Sequence, residues 1–214
     1  LLYKFKSNLM GEIKKHWENI YETKEINGVS WFQENPSTSL SLIEGSNIKK
    51  DIEIIDIGCG KSYLIDNLLK NKFSDVSILD ISNNALKEVK KRTSKYTNKG
   101  NLYNSNILDF NSDKRFDIWH DRAVFHFLTT EKEVRNYIRI SENHIRKGGA
   151  LIIGTFSENG PLKCSGLEIS RYSVEDLKLL FSESFELVEY LNTNHTTPFE
   201  TIQNFNFCRF KKLN

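Results

Sequence analysis

Short apolar runs alternate with helical spacings through the middle of this chain. Ile52–Ile57, Val76–Ile81, Phe116–His120 and Ala150–Phe156 are brief and apolar, and the first and last are almost continuously so. Each reads as a strand, with the longest runs covered on both faces as in a parallel sheet. A weaker strand is predicted over Asn101–Ile107. Between the strands, apolar residues recur three and four apart: Leu64, Ile65, Leu68 and Leu69, then a Lys-rich helix over Ala85–Tyr96 behind the cap cluster Ser82-Asn83-Asn84. Val134, Tyr137, Ile138 and Ile145 predict a helix over Glu131–Arg146, stopped by Lys147-Gly148-Gly149. Ser173 caps a helix through Phe181. Phe185–Leu191 and Thr201–Phe210 close the chain as two antiparallel strands, with a bulge expected near Cys208-Arg209 because Phe205, Phe207 and Phe210 do not alternate.

Upstream of the first strand the pattern is helical. Ile13, Trp17, Ile20 and Tyr21 give Asn8–Glu25 one apolar face, and Asn27-Gly28 ends it. Pro36 opens a second helix over Ser37–Glu44, followed by a Gly45-Ser46-Asn47 loop. Residues 1–50 are therefore expected to form an N-terminal helical cap on an α/β domain spanning 51–214.

Composition narrows the class without changing it. At 214 residues and 24.9 kDa, with 38% hydrophobic and 27% charged residues, the chain suits one globular domain. A net charge of +2 gives no reason to expect a nucleic-acid partner. No apolar run approaches the ~20 residues of a membrane span, and the N-terminus lacks a signal-peptide core. Cys59, Cys164 and Cys208 have no metal-binding spacing, so reduced thiols, no metal site and a cytoplasmic location are expected. Position 1 is Leu, which reads as a trimmed start.

The chemistry begins at Asp56-Ile57-Gly58-Cys59-Gly60. A strand, a glycine turn and a helix start form a nucleotide-binding opening, because glycines let a ligand approach the backbone. The turn alone also suits a nicotinamide dehydrogenase, but that motif needs a third glycine, and Ser62-Tyr63 stand there instead.

With Asp80 ending the second strand, Asn106-Ile107 after the third, Asp117–Asp121 on the fourth and Arg146-Lys147-Gly148-Gly149 before the fifth, the chain resembles a class I S-adenosylmethionine-dependent methyltransferase from about Glu12 onward. The resemblance implies a Rossmann-like three-layer sandwich whose seven-stranded sheet is mostly parallel with an antiparallel C-terminal strand. It implies S-adenosyl-L-methionine as cofactor and S-adenosyl-L-homocysteine as product. The implied cofactor residues are Asp56, Gly58, Cys59 and Gly60 at the methionine end, Asp80 and Ile81 at the ribose, and Asn106 and Ile107 at the adenine. Asn106 stands where an Asp is common, and its side-chain oxygen still accepts from the adenine amino group.

The stretch Asp117–Phe127 follows the fourth strand, at the sheet edge where ligands bind. In the family layout His120 or Asp121 faces the methyl group, and His126 reaches the pocket from the next turn. These three are the candidate catalytic residues, against a packing reading in which Asp121 pairs with Arg122 and His126 is core. Trp17, Tyr21 and Trp31 are assigned to a lid over the cofactor, with their rings near the sulfonium. The Phe156–Leu167 loop, with Cys164, is expected to border the acceptor.

The leading function is methyl transfer to a small molecule, with thiols, carboxylates and other anions as candidate acceptors. A protein lysine methyltransferase is the alternative, since His16–Tyr21 and Phe185–Glu189 resemble elongation-factor lysine methyltransferases. A lysine enzyme should show a narrow acidic channel. A non-catalytic cofactor-binding scaffold is the third reading.

Overall fold

The computed structural model describes residues 2–46 and 49–213, with the side chains of residues 2–10 excepted. Asn47 of the expected Gly45–Asn47 loop lies outside the described residues. Helix α1 (Leu2–Thr23) and helix α2 (Ser37–Glu44) precede the first strand. Then β1 (Glu53–Ile57), α3 (Leu64–Lys70), β2 (Asp75–Asp80), α4 (Asn83–Thr93), β3 (Leu102–Asn104), β4 (Phe116–Arg122), α5 (Glu131–His144) and β5 (Ile145–Phe156) follow, with strands and helices alternating except between β3 and β4. The chain continues through the small strands β6 (Lys163–Cys164) and β7 (Leu167–Glu168), helix α6 (Val174–Phe181), and the long strands β8 (Phe185–Thr196) and β9 (Ile202–Lys212).

Seven strands form one sheet in the order β3-β2-β1-β4-β5-β9-β8. The β1–β2, β1–β4, β2–β3 and β4–β5 pairs are parallel, and β9 runs antiparallel to both neighbours. The order reverses between β1 and β4, which puts a ligand crevice at the C-terminal ends of those strands. One face of the sheet packs Ile54, Ile118 and Ile152 against α2, α3 and α4. The other packs Ile55, Trp119 and Leu151 against α5 and α6. Neighbouring residues of one strand thus serve different layers, as the pleat requires.

Caps set the helix starts. Ser82 accepts from the Ala85 amide to begin α4. Thr130 with Glu133, and Ser173 with Asp176, form reciprocal capping boxes on α5 and α6. Helix α1 is fixed to α4 by Glu18, whose carboxylate accepts from the Ser82 hydroxyl (2.7 Å) and the amides of Asn83 (2.9 Å) and Asn84 (3.1 Å). A carboxylate on those free amides also suits the positive end of the helix.

Three details differ from the sequence-based expectation. Helix α5 ends at His144, and β5 has begun by Ile145, which pairs with Phe116. Gly148, with φ +75°, lies inside that strand and not at a helix stop. The irregular pairing of the last two strands falls between Leu187 and Glu189 of β8, opposite Phe210 and Arg209 of β9. The loop after β5 contains the β6–β7 hairpin, whose two turn residues Ser165 and Gly166 both have positive φ.

Candidate functional site

The glycine turn leaves β1 with Gly58 and Gly60 both at positive φ (+62° and +50°). A side chain would fit at neither: a Cβ on Gly58 would strike Val124, and one on Gly60 the Tyr21 hydroxyl. The turn is tied to β2, since the Cys59 amide donates to Leu79 O (3.1 Å) and the Gly60 amide to Asp80 Oδ2 (2.8 Å). The second Asp80 oxygen accepts from the Ser82 amide at 2.7 Å. Each oxygen keeps a further lone pair. Burial pushes the Asp80 carboxyl up to about 6, opposed by those two amides.

Beside this turn lies a cavity of about 490 Å³, within the ~300–1,000 Å³ span of small-molecule sites. Asp80 and Ile81 line it at the end of β2, Asn106 and Ile107 from the turn after β3, and Gly58 from the turn after β1. Trp17, Tyr21 and Trp31 line it from the N-terminal segment. Trp17 is the centre of this aromatic group, stacked on Tyr21 (6.0 Å) and edge-on to Trp31 (5.8 Å) and Phe127 (5.4 Å). The β6–β7 hairpin supplies Cys164, Leu167 and Glu168. His16 Nε2 of α1 meets the Ser165 hydroxyl of that hairpin at 3.4 Å.

Eight of the eleven residues assigned to the cofactor therefore meet on one cavity. Asp56, Cys59 and Gly60 do not line it. Asp56 and Cys59 line a second, small cavity of about 50 Å³ on the far side of Tyr21 and Trp31. The Gly60 amide, expected to meet the cofactor carboxylate, is already given to Asp80.

The three candidate catalytic residues lie outside the large cavity's wall. Asp121 is fully buried on the α5 face. Its Oδ1 accepts from the amides of Val124 (2.9 Å) and Phe125 (3.2 Å), and its Oδ2 from the Tyr137 hydroxyl (2.6 Å). Tyr137 in turn accepts from Trp119 Nε1 at 3.0 Å. Burial pushes the Asp121 carboxyl up to about 6, opposed chiefly by Tyr137. His120 points to the opposite face. The Asp56 carboxylate can only accept, so His120 Nδ1 carries the proton between them (2.7 Å), and Nε2 faces the Ser39 hydroxyl of α2 (2.9 Å). His126 is fully buried between Phe127 and Phe156, with no partner on either ring nitrogen. Burial, with Arg122 nearby, pushes it down to about 3, so the ring is neutral and a poor base at pH 7.

Arg122 is not paired with Asp121, contrary to the alternative packing expectation. The two are consecutive on β4 and face opposite layers. Arg122 donates from Nη1 to Trp31 O at 3.0 Å and lies 5.1 Å over the Phe205 ring. It lines both cavities, together with Tyr21, Trp31 and Gly58. Burial lowers it to about 10, which leaves it charged at neutral pH. The pleat was the available signal: His120 and Arg122 share the cap-facing parity.

Four carboxylates line the large cavity: Asp80, Asp109, Glu133 and Glu168. Asp80 holds two amides, Glu133 caps α5 through Thr130, and Glu168 pairs with Lys163 at 2.7 Å. Burial pushes the Cys164 thiol up to about 12, so it is protonated.

A sheet of this order, reversed only at β9, with a glycine turn bonded to the acid that ends β2, is the architecture of class I S-adenosylmethionine-dependent methyltransferases. Residues 48–204 match the model of the methyltransferase domain family, and the chain belongs to it. It is 27% identical over 199 residues to EEF1A lysine methyltransferase 2 of Danio rerio, covering 84% of this chain and 78% of that protein. It is 23% identical over 158 residues to malonyl-(acyl-carrier protein) O-methyltransferase 1 of Ilyobacter polytropus, covering 72% of this chain and 55% of that one. Its fold is similar to that of the N-methyltransferase NodS from Bradyrhizobium japonicum WM9, solved with S-adenosyl-L-homocysteine. The TM-score is 0.70 at 17% identity, over 93% of this chain and 100% of the other. By their names one of these relatives acts on a protein lysine and another on malonyl-(acyl-carrier protein), so the acceptor class is open among them. Among the described residues, no helix is long and apolar enough to cross a membrane.

Proposed function

We propose that this protein transfers a methyl group from S-adenosyl-L-methionine to a small-molecule acceptor in the 490 Å³ cavity. The observation that carries the reading is the charge along the cavity wall. Three of its four carboxylates are committed to amides, a cap or Lys163, leaving Asp109, while the half-buried Arg122 brings a positive charge. A lysine ammonium would meet that cation with Asp109 as the one uncommitted wall carboxylate to receive it.

In this reading Asp80 accepts from the ribose hydroxyls with its remaining lone pairs, and Ile81, Asn106 and Ile107 border the adenine. Gly58 allows the methionine end close approach to the turn, with Cys59, Gly60 and Asp56 shaping that turn from behind. Trp17, Tyr21 and Trp31 roof the sulfonium, excluding water. The acceptor attacks the methyl carbon in line with the C–S bond. S-adenosyl-L-methionine bound there would supply the electrophilic methyl group: the nucleophile–carbon bond would form as the C–S electron pair stayed on sulfur, giving S-adenosyl-L-homocysteine. Asp121, His120 and His126 take positioning roles. Asp121 holds the 121–125 turn, and His120 fixes α2 to β1 through Asp56 and Ser39. Catalysis then rests mainly on alignment and desolvation.

The test is a radiolabelled methyl-transfer screen of source lysate, separated into small-molecule and protein fractions. Label is expected in the small-molecule fraction. Label on a protein lysine overturns the reading. A wild-type protein that fails to bind S-adenosyl-L-homocysteine overturns methyl transfer altogether.

A further inference from the structure

Helix α1 presents two neighbouring faces to the site. Ile13, Trp17 and Tyr21, at helical spacing, line the large cavity. Lys14 and Glu18, each one position further on, reach toward the turn Asp80-Ile81-Ser82 that leaves β2. At that turn the Glu18 carboxylate completes what helix α4 cannot complete alone. Ser82 accepts from the Ala85 amide, but the amides of Asn83 and Asn84 have no acceptor within their own helix. Both donate to Glu18, at 2.9 and 3.1 Å, and the Ser82 hydroxyl donates to it at 2.7 Å. Three bonds to one charged acceptor, at the positive end of a helix, are strong ones.

Ser82 is shared between two acids. Its backbone amide donates to Asp80 Oδ1 at 2.7 Å, its hydroxyl donates to Glu18, and the residue is fully buried. A longer contact ties α1 to the same turn. Lys14 Nζ lies 3.5 Å from Asn104 Oδ1, and Asn104 Nδ2 donates to the carbonyls of Asp80 (3.1 Å) and Ile81 (3.0 Å). The aromatic side chains of α1 and the acid that ends β2 are thus joined through one carboxylate, next in sequence to Trp17. Glu18 itself lines neither cavity.

We propose that Glu18 is a positioning residue for the cofactor, clamping α1 to the start of α4 so that Trp17 and Tyr21 stay over the cavity and Asp80 stays at the ribose. The inference deepens the cofactor-binding part of the proposed function and rests on it. Without the carboxylate the Asn83 and Asn84 amides turn to water, α1 loses its three bonds to this turn, and the roof over the cavity opens.

The experiment measures S-adenosyl-L-homocysteine binding by calorimetry and stopped flow, with hydrogen exchange of α1 alongside, in the full chain. In wild type the ligand is expected to slow exchange in α1. Glu18→Ala should weaken affinity at least about tenfold, through faster dissociation, and α1 should exchange faster with and without ligand. Glu18→Gln keeps one oxygen for an amide and should fall between the two. The ligand-free melting temperature should drop by only about 2–4 °C in Glu18→Ala, as for the loss of a helix cap. A residue that merely stabilises α4 would show that drop and bind normally, so affinity within about threefold of wild type in folded Glu18→Ala overturns the proposal. Weaker binding with α1 exchange unchanged also overturns it. If Glu18→Ala does not fold, Glu18→Gln decides by the same two readings. Wild type that binds S-adenosyl-L-homocysteine no better than the variants removes this inference alone, whereas wild type that does not bind it removes methyl transfer as well.

Discussion

Replacing Asp80 with Asn should separate cofactor binding from folding. Burial raises this carboxyl from 3.8 to about 6. At pH 8 that rise costs the folded protein ~3 kcal/mol relative to a carboxyl left at its ordinary value. Asn removes the charge and that cost. It has one side-chain oxygen in place of two, so the amide of Gly60 or of Ser82 loses its acceptor, at ~1–3 kcal/mol. The two effects nearly cancel, and Asp80→Asn should melt within about 4 °C of wild type at pH 8. The pH dependence has a definite sign. A carboxyl raised in the folded state contributes stability that is complete below pH ~4 and is lost as pH rises through about 6. Asp80→Asn lacks that loss, so its melting point gains on wild type between pH 5 and pH 8. Binding behaves differently. Losing a charged acceptor for the ribose costs ~1.5–3 kcal/mol, or ~10–150-fold in S-adenosyl-L-homocysteine affinity by calorimetry. Wild-type affinity should also weaken as pH falls below about 6, while the variant stays flat. Unchanged affinity in a natively melting variant, or the same pH slope in both proteins, would refute the ribose assignment.

Two further substitutions probe the packing around the cavity. Gly60→Ala drives a Cβ into the Tyr21 hydroxyl at a positive φ, and should lower both the melting temperature and S-adenosyl-L-homocysteine affinity. Adding Tyr21→Phe removes the struck atom and should recover part of the loss, and a double mutant no better than Gly60→Ala contradicts the contact. Tyr137→Phe strips a partner from both Trp119 Nε1 and Asp121 Oδ2, and should cost ~1–3 kcal/mol in denaturant melts with cofactor affinity nearly unchanged. A large drop in affinity at native stability would instead put Asp121 in contact with ligand.

The strand and helix alternation was legible because buried parallel strands leave continuous apolar runs, as at Ile52–Ile57 and Ala150–Phe156. The β6–β7 hairpin was not, because two residues per strand leave no periodicity. Its trace is the Ser165-Gly166 pair alone. The start of β5 was hidden for a different reason. Arg146 looks like the end of a solvent-facing helix, yet its guanidinium bonds to Glu53 and Asp117 across the sheet end. At the site, Asp80 and Asn106 were recognisable from their place after strands, which the topology carries to one edge. The β4 residues were harder. His120, Asp121 and Arg122 read as one cluster along the chain, and only strand parity divides them.

That division on β4 has a consequence for how such a protein can change. Trp119 and Asp121 maintain the architecture on the α5 side, while His120 and Arg122 serve the cap side, bonded to Ser39 and Trp31. Substitution at 122 alters the cavity wall without disturbing the Trp119–Tyr137–Asp121 network one residue away. A single inserted residue within the strand would do the reverse, exchanging the two sets and losing both at once. The cavity wall that β4 supplies is therefore open to change by point replacement, but closed to change by insertion or deletion along this strand.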